Sequence, residues 1–481
     1  MAASSGPIFL PQIALQHDFA NVFADVRDRT VVAEDIYLSC YRLGSQSVHG
    51  KVTVSKDETS PDSLELESKG GVELARSGSH TFSVSCPALS ISETSLHAPH
   101  QTIDANKPEG RFRRISAFDA SPDRSLIATG HFDGTVSLLS TSMASMASMA
   151  SINVTQKLHV STILSLRFFP SSKVLLSASS DFSLNVISTA IPSGENDIPL
   201  LAVPRVLKGH KGGVTDTAII GVGRDVLSCS KDGSIRLWDV AEARKTGSSL
   251  ASDGFKPIMK MAVSSRTVAN SGNEAWSGLL PPNGEPREVA PGPRDVSDNN
   301  LPGNVIYAAL SDGTFNVFDL RARSLIYSSP KSMSSNPSNS GLSAIAYDAR
   351  SHILATGSQH GIVALFDTRY LPAPSTSSGT SSSSSAAVLL SFQRSNASID
   401  DLLFVPPTAY SAIETHPHLL VAPADGFPFR ASVHPNGPRV VEEYIGFADE
   451  GVKVVRMTRR DGAGVLGDVW CAGDDGIVRR Y

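Results

Sequence analysis

The sequence has few cysteines, and none of them is placed as in a metal site or a disulfide framework. Four occur among 481 residues, scattered without a Cys-x-x-Cys pair, at Cys40, Cys86, Cys229 and Cys471. Structural zinc sites use closely paired ligands, and small secreted domains use many cysteines to staple a limited core. The sequence therefore excludes both classes and indicates a reducing compartment.

The motifs of common enzymes are also missing. The chain has no Gly-x-x-x-x-Gly-Lys-Ser/Thr phosphate loop and no Gly-x-Ser-x-Gly nucleophile elbow. Two histidine pairs, His97 with His100 and His416 with His418, have no cysteine or carboxylate at a recognised ligand spacing. We therefore expect no catalytic residue, no cofactor and no metal.

Excess positive charge and long apolar runs are absent as well. The formal net charge is −5, from 42 basic and 47 acidic residues, which argues against a nucleic-acid surface. No segment has the length and apolarity of a membrane span or a signal peptide. We expect a protein of the cytoplasm, with the nucleus as a second location, that contacts neither nucleic acid nor membrane.

The strongest positive signal lies at residues 209–239. This stretch opens with Gly-His and ends with Trp-Asp, like a WD repeat, the unit of roughly 40 residues that forms one blade of a β-propeller. A buried relay can join its polar side chains, from indole N–H to hydroxyl, to imidazole and to carboxylate, in the tetrad His210, Ser228, Asp232 and Trp238. A hydrolase would need an exposed serine and an oxyanion hole, so we interpret this set as structural.

The same spacing recurs along the chain. In the best unit the histidine lies 22 residues before the turn aspartate, the serine four before it and the tryptophan six after it. Seven candidate units follow from the turn positions, which are Asp133, Asp181, Asp232, Asp312, His360, Asp425 and Asp475. Alternating apolar residues flank these turns, and no long segment has a helical period. The sequence predicts an all-β fold, a seven-bladed WD-repeat β-propeller with a small N-terminal module.

The domain boundaries follow from the repeats. We expect the N-terminal module at 1–75 and the propeller at 76–481, with flexible insertions near 142–151, 266–303 and 371–387. The last unit lacks sequence for an outer strand, so an N-terminal strand from within roughly 80–108 should close the ring. The segment 81–85 is one candidate for that strand.

The third unit and both ends of the chain resemble one WD-repeat family. Within 209–239 the distinctive parts are His-Lys-Gly-Gly at 210–213 and Asp-Thr-Ala-Ile at 216–219. The closing run 475–481 and Tyr-Leu-Ser-Cys at 37–40 are similar to it too. The family is that of the proteasomal ATPase-associated factor, a WD-repeat chaperone of the proteasome regulatory particle.

This resemblance implies a non-enzymatic chaperone or scaffold. It would bind the C-terminal domain of one proteasomal AAA ATPase subunit, and other base-assembly intermediates, and we expect it to be a monomer. In that family acidic groups on the ring meet basic groups on the ATPase, so our partner-binding candidates are acidic: Asp216, Asp400, Asp401, Glu442 and Glu443.

Two other functions use the same fold. A substrate adaptor of a ubiquitin ligase would be expected to carry a linker-binding module beside the ring, and a ribosome-assembly scaffold would more often carry basic tails. The sequence shows neither feature, but the fold alone does not separate these functions from the chaperone.

Overall fold

The structure is a computed structural model. It describes residues 6–56, 64–105, 113–141, 153–190, 200–247, 249–264, 305–330, 340–371, 388–405, 416–434, 437–448, 450–458 and 467–481. Apart from residue 371, the insertions expected near 142–151, 266–303 and 371–387 lie outside this part of the chain.

The described part of residues 6–105 contains one α-helix, one short 3-10 helix (Pro87–Leu89) and nine strands. The α-helix and the strands are β1 (Ile8–Phe9), β2 (Pro11–Leu15), α1 (Phe19–Arg27), β3 (Ala33–Arg42), β4 (Val48–Lys56), β5 (Leu64–Lys69), β6 (Glu73–Arg76), β7 (Thr81–Cys86), β8 (Ile91–His97) and β9 (Gln101–Asp104). Strands β2 to β5 form an antiparallel sheet. The helix buries Phe19, Val22, Phe23 and Val26, whose three- and four-residue spacing places them on one face.

The remaining strands fall into seven consecutive sheets within the described residues. The first has β10 (Ile115–Ala120), β11 (Leu126–His131), β12 (Thr135–Ser140) and β13 (Asn153–Lys157), and the second has β14 (Ile163–Phe168), β15 (Val174–Ser179), β16 (Ser183–Ser188) and β17 (Arg205–Lys208). The third has β18 (Val214–Ile220), β19 (Asp225–Ser230), β20 (Ser234–Asp239), β21 (Arg244–Lys245) and β22 (Leu250–Ala251). The fourth has β23 (Ile258–Ser264), β24 (Val305–Leu310), β25 (Phe315–Asp319) and β26 (Ser324–Ser328).

The last three sheets continue the pattern. The fifth has β27 (Leu342–Asp348), β28 (Ile353–Ser358), β29 (Ile362–Asp367) and β30 (Val388–Gln393). The sixth has β31 (Ile399–Val405), β32 (His418–Pro423), β33 (Phe429–Ser432) and β34 (Arg439–Tyr444), and the seventh has β35 (Val452–Met457), β36 (Val469–Gly473) and β37 (Ile477–Arg480).

These sheets are arranged in a ring. The first strand of each sheet contacts the first strand of the next, and β35 of the seventh sheet returns to β10 of the first. The second strand of a sheet is covered on both faces, and β11, β19 and β32 are buried at every residue. The fold is a β-propeller, as the repeat spacing predicted.

Neighbouring sheets pack through a small residue and a large one. Three residues before each turn position, the second strand has Gly130, Ala178, Cys229, Ala309, Gly357, Ala422 or Ala472. Each packs with the aliphatic residue that opens the first strand of the next sheet, either in direct approach for the two glycines or within one buried cluster for the other five. These aliphatic residues are Ile163, Val214, Ile258, Leu342, Ile399, Val452 and Ile115 respectively. A Cβ added to Gly130 would lie 2.7 Å from Cγ2 of Ile163, and one added to Gly357 would lie 2.7 Å from Cγ2 of Ile399. The space between adjacent sheets is therefore filled at this point.

N-terminal strands add to the outer edges of three neighbouring sheets. Strand β1 pairs in parallel with β30 of the fifth sheet, and β8 pairs in parallel with β34 of the sixth. Strand β9 pairs antiparallel with β37 and gives the seventh sheet its fourth strand. The candidate segment 81–85 lies instead in β7, between β6 and β8.

The core of the N-terminal module extends past the expected boundary at residue 75. One buried cluster runs from Ile13 to Ala98 and includes Phe82, Val84 and Leu96. Strands β6 to β8 therefore belong to two units at once, because they pack in the module core and also extend the sixth sheet.

The packing between sheets predicts the effect of one added methyl group. Gly130→Ala should lower the free energy of unfolding by about 1–3 kcal/mol, since the new Cβ would overlap Ile163. The same change should cost less in an Ile163→Ala background, because that substitution removes Cγ2 of residue 163, the atom nearest to the new Cβ. Urea unfolding of the full chain measures both changes.

Gly78→Ala is the control for this experiment. Its added Cβ would come no closer than 3.5 Å to another atom, so its effect should stay within about 0.5 kcal/mol. Equal stability of Gly130→Ala and the parent protein would contradict the packing argument.

Candidate functional site

The third sheet brings its four predicted polar residues into one hydrogen-bonded chain. Nε1–H of Trp238 donates to Oγ of Ser228 at 2.8 Å, and this hydroxyl lies 2.7 Å from Nε2 of His210. Nδ1 of His210 lies 3.0 Å from Oδ2 of Asp232. Ser228 is fully buried. An enclosed serine does not meet a substrate, so the arrangement holds strands together rather than presenting a nucleophile.

Asp232 joins the turn to the loop that enters the third sheet. Its carboxylate accepts hydrogen bonds from the backbone N–H of Lys211 at 2.8 Å and from that of Ser234 at 2.9 Å. Burial opposes its ionisation, but the bonds from Ser234, Lys211 and His210 outweigh burial and lower the pKa of Asp232 to about 2. The carboxylate is therefore charged at neutral pH and fixes both segments.

The second sheet repeats this chain without the tryptophan. Nε2 of His159 lies 2.8 Å from Oγ of Ser177, and its Nδ1 lies 3.0 Å from Oδ2 of Asp181. Burial lowers the pKa of His159 and likewise that of His210. Both rings are therefore held neutral, and each needs its aspartate as a hydrogen-bond acceptor.

The structure corrects two of the five acidic partner-binding candidates. Asp216 and Glu443 are only 3% and 2% exposed. Asp216 accepts the backbone N–H of Met261 from the next sheet, and Glu443 lies 2.6 Å from the guanidinium of Arg394. Both carboxylates are used inside the protein, so neither is available to a partner.

Asp401 also bonds across a sheet interface. Its carboxylate accepts the backbone N–H of Val455 at 3.2 Å and lies 2.6 Å from Nη1 of Arg456. The same guanidinium reaches Asp119 of the first sheet at 3.4 Å, across the closure of the ring. Asp119 in turn accepts the backbone N–H of Phe168 at 2.7 Å. Arg456 is therefore the central cation of a network that links the sixth, seventh and first sheets.

The other two partner-binding candidates, Asp400 and Glu442, form ion pairs but are partly exposed to solvent. Asp400 lies 2.7 Å from the ammonium of Lys453, with 18% of its side chain exposed. Glu442 pairs with Arg430 and accepts a hydrogen bond from the hydroxyl of Tyr444 at 2.7 Å, with 14% exposed. Of the five, Asp400 has the greatest access to solvent.

In the described ranges no group of three or more His, Cys, Asp or Glu side chains is placed to hold a metal ion. Over the same ranges, no helix is long and apolar enough to cross a membrane.

Comparison with known proteins finds WD repeats and one partial similarity to a proteasome subunit. The family described as WD domain, G-beta repeat, matches residues 106–139, 152–188 and 202–239. The chain is also 49% identical over 66 residues to the 26S proteasome regulatory subunit RPN14 of Saccharomyces cerevisiae. That similarity covers 14% of this chain and 14% of the yeast protein. WD-repeat proteins generally act as protein-binding scaffolds, and neither similarity is to a catalytic family.

The tetrad geometry predicts a stability loss in Asp232→Ala. The change removes the acceptor of buried His210 and should lower the free energy of unfolding by about 1–3 kcal/mol. The matched control is Asp312→Ala, since Asp312 has the same turn position and a bond to Thr314 but pairs with Lys256 instead of a histidine. A urea-unfolding loss no larger than that of the control would contradict the role of His210.

The buried histidines predict a pH dependence. Because burial lowers the folded-state pKa of His131, His159 and His210, the unfolded chain binds more protons below about pH 6.5. The free energy of unfolding should therefore fall as the pH drops from about 6.5 towards 5. Asp232 adds nothing to this slope, since its lowered pKa acts only below about pH 4.

His159→Gln tests this assignment. At pH 7.5 the variant should unfold at a lower urea concentration than the parent. As the pH drops from about 6.5 towards 5, its free energy of unfolding should fall less steeply than that of the parent, because one titrating group is gone. Parallel stability curves for the two proteins would show that His159 does not remain neutral in the fold.

Proposed function

We propose that this protein is a non-enzymatic chaperone or scaffold for the proteasome regulatory particle. It binds the C-terminal domain of a proteasomal AAA ATPase subunit during assembly of the base, as a monomeric seven-bladed propeller of the cytoplasm and nucleus. The observation that carries the proposal is the 49% identity over 66 residues to the yeast regulatory subunit RPN14. The propeller supplies the rigid surface that such a scaffold needs.

Acidic side chains that bond inside the protein are poor candidates for the contact surface with the ATPase domain. Asp216, Asp401 and Glu443 bond across the interior, so changing them would weaken the ring as well as any contact. Asp400 and Asp474 share one cation, Lys453, which lies 2.7 and 3.5 Å from their carboxylates. These two acidic residues leave one negative charge in excess, and Asp400 is the candidate with which to begin.

Direct binding tests the proposal. The full chain is titrated against the purified C-terminal domain of each proteasomal ATPase subunit by isothermal calorimetry, at low and at physiological salt. One domain should bind, and more weakly at the higher salt, because charge pairing across an interface is screened. Affinity purification from cells should recover free ATPase subunits and base intermediates rather than mature proteasome.

A variant and its matched control test whether Asp400 lies in the contact with the ATPase domain. Asp400→Asn should weaken that binding on the order of fivefold with little change in melting temperature, since its ion pair is partly exposed. Glu242→Gln is the control, since Glu242 forms an exposed ion pair with Arg244 on the third sheet, and it should bind like the parent. Failure to bind any ATPase domain at either salt would overturn the proposal and favour the ligase-adaptor or ribosome-assembly function.

A further inference from the structure

A groove of about 570 Å³ lies along the second sheet, where it borders Asp181 and His210 of the hydrogen-bonded chains described above. Its lining is mostly apolar, and the residues that carry the argument are Leu158, Val160, Phe182, Val203, Val206 and Lys208. Val160 is 86% exposed, Phe182 48% and Val206 43%. Large apolar side chains gathered at one groove and left open to water mark a binding surface more often than isolated ones do.

Phe182 lies at a turn position whose backbone conformation disfavours a bulky side chain. It follows the turn aspartate of the second sheet, where the other six turns have glycine with φ between +75° and +87°. Phe182 adopts the same left-handed conformation, with φ of +71°, which is strained for a bulky side chain. Because its ring is half exposed, packing in the fold does not explain why a phenylalanine occupies this position.

Positive charge surrounds the groove. Lys208 lines it, and Lys157 directly precedes Leu158 of the lining. Lys211 directly follows His210 of the lining, and Lys231 directly precedes Asp232, the hydrogen-bond partner of His210. These four lysines are exposed and form no ion pair with a described residue. The carboxylate of Asp181, which also lines the groove, is engaged by His159, Ser183 and the backbone of Val160. The four lysines outnumber the two turn aspartates, Asp181 and Asp232, so net positive charge lies beside the apolar side chains.

The outer edge of the same sheet is open. Among the described strands, none pairs with the outer side of β17. In the fifth and sixth sheets the corresponding edges bind β1 and β8 as added strands. An extended segment is thus a geometry that the outer edges of this ring accept.

We propose that the groove binds an extended, acidic segment of a partner protein that inserts a bulky apolar side chain between Val160, Phe182 and Val206. The lysines orient the acidic residues, and the apolar contact supplies most of the affinity. This site is separate from the proposed ATPase contact, and its test does not use an ATPase domain.

A synthetic peptide serves as the probe. Fluorescein-labelled peptide with two central leucines between runs of glutamate is titrated with the full chain by fluorescence anisotropy. It should bind, whereas peptides with serine in place of leucine, or with lysine in place of glutamate, should bind at least about tenfold more weakly. Raising the salt should weaken the binding of the acidic peptide.

Phe182→Gly separates binding from folding. Glycine relieves the left-handed strain, so the melting temperature should stay or rise, while peptide binding should fall about tenfold. Phe255→Gly is the matched control, since Phe255 is 70% exposed with φ of +54° and lies outside the groove; its binding should equal that of the parent. Lys208→Glu should also weaken binding of the acidic peptide.

Three outcomes would overturn the proposal. They are absence of peptide binding at millimolar concentration, equal binding of the lysine peptide, and unchanged binding by Phe182→Gly. Sedimentation velocity supplies a further check: a dimer that Phe182→Gly dissociates would assign the groove to a second copy of this chain instead.

Discussion

The structure depends on the packing of a small residue with a large one in the core at every boundary between sheets. The position three residues before each turn holds glycine, alanine or cysteine, and the next sheet begins with isoleucine, leucine or valine against it. Because a close-packed interior has no room for an added methyl group, this packing fixes how near each sheet comes to its neighbour. Because the same distance between neighbouring sheets is repeated around the ring, the seventh sheet packs against the first.

A second, polar set of contacts lies on the same first strands. Each of these strands has a register break after its opening residue, and Asp216 and Asp401 stand directly after that break. From there their carboxylates reach a backbone N–H of the following sheet. Because some charged side chains form contacts between sheets, the net charge of −5 says little about the charge of the surface that a partner binds. Charge that remains exposed, as in the groove, is more informative.

The sequence predicted the features whose residues lie at a fixed, short spacing along the chain. The tetrad of the third sheet and the turns could be located because their residues lie at fixed intervals within one repeat. The roles of the acidic candidates could not, because the partners of Asp216 and Asp401 lie 45 and 54 residues away. The closing strand Gln101–Asp104 is too short to show an alternating pattern. Two signals were present but missed: the small residue before each turn, and Phe182 in a position otherwise held by glycine.

Pairing of N-terminal strands with the last three sheets has a consequence for the order of events on the ribosome. Strands β1, β8 and β9 leave the exit tunnel before their partners β30, β34 and β37, which are translated hundreds of residues later. Until then these early strands keep unpaired backbone edges, which attract other chains. Newly made molecules should therefore depend on holding chaperones until synthesis reaches the seventh sheet, when the last of these earlier-made strands can pair at the outer edge of the ring.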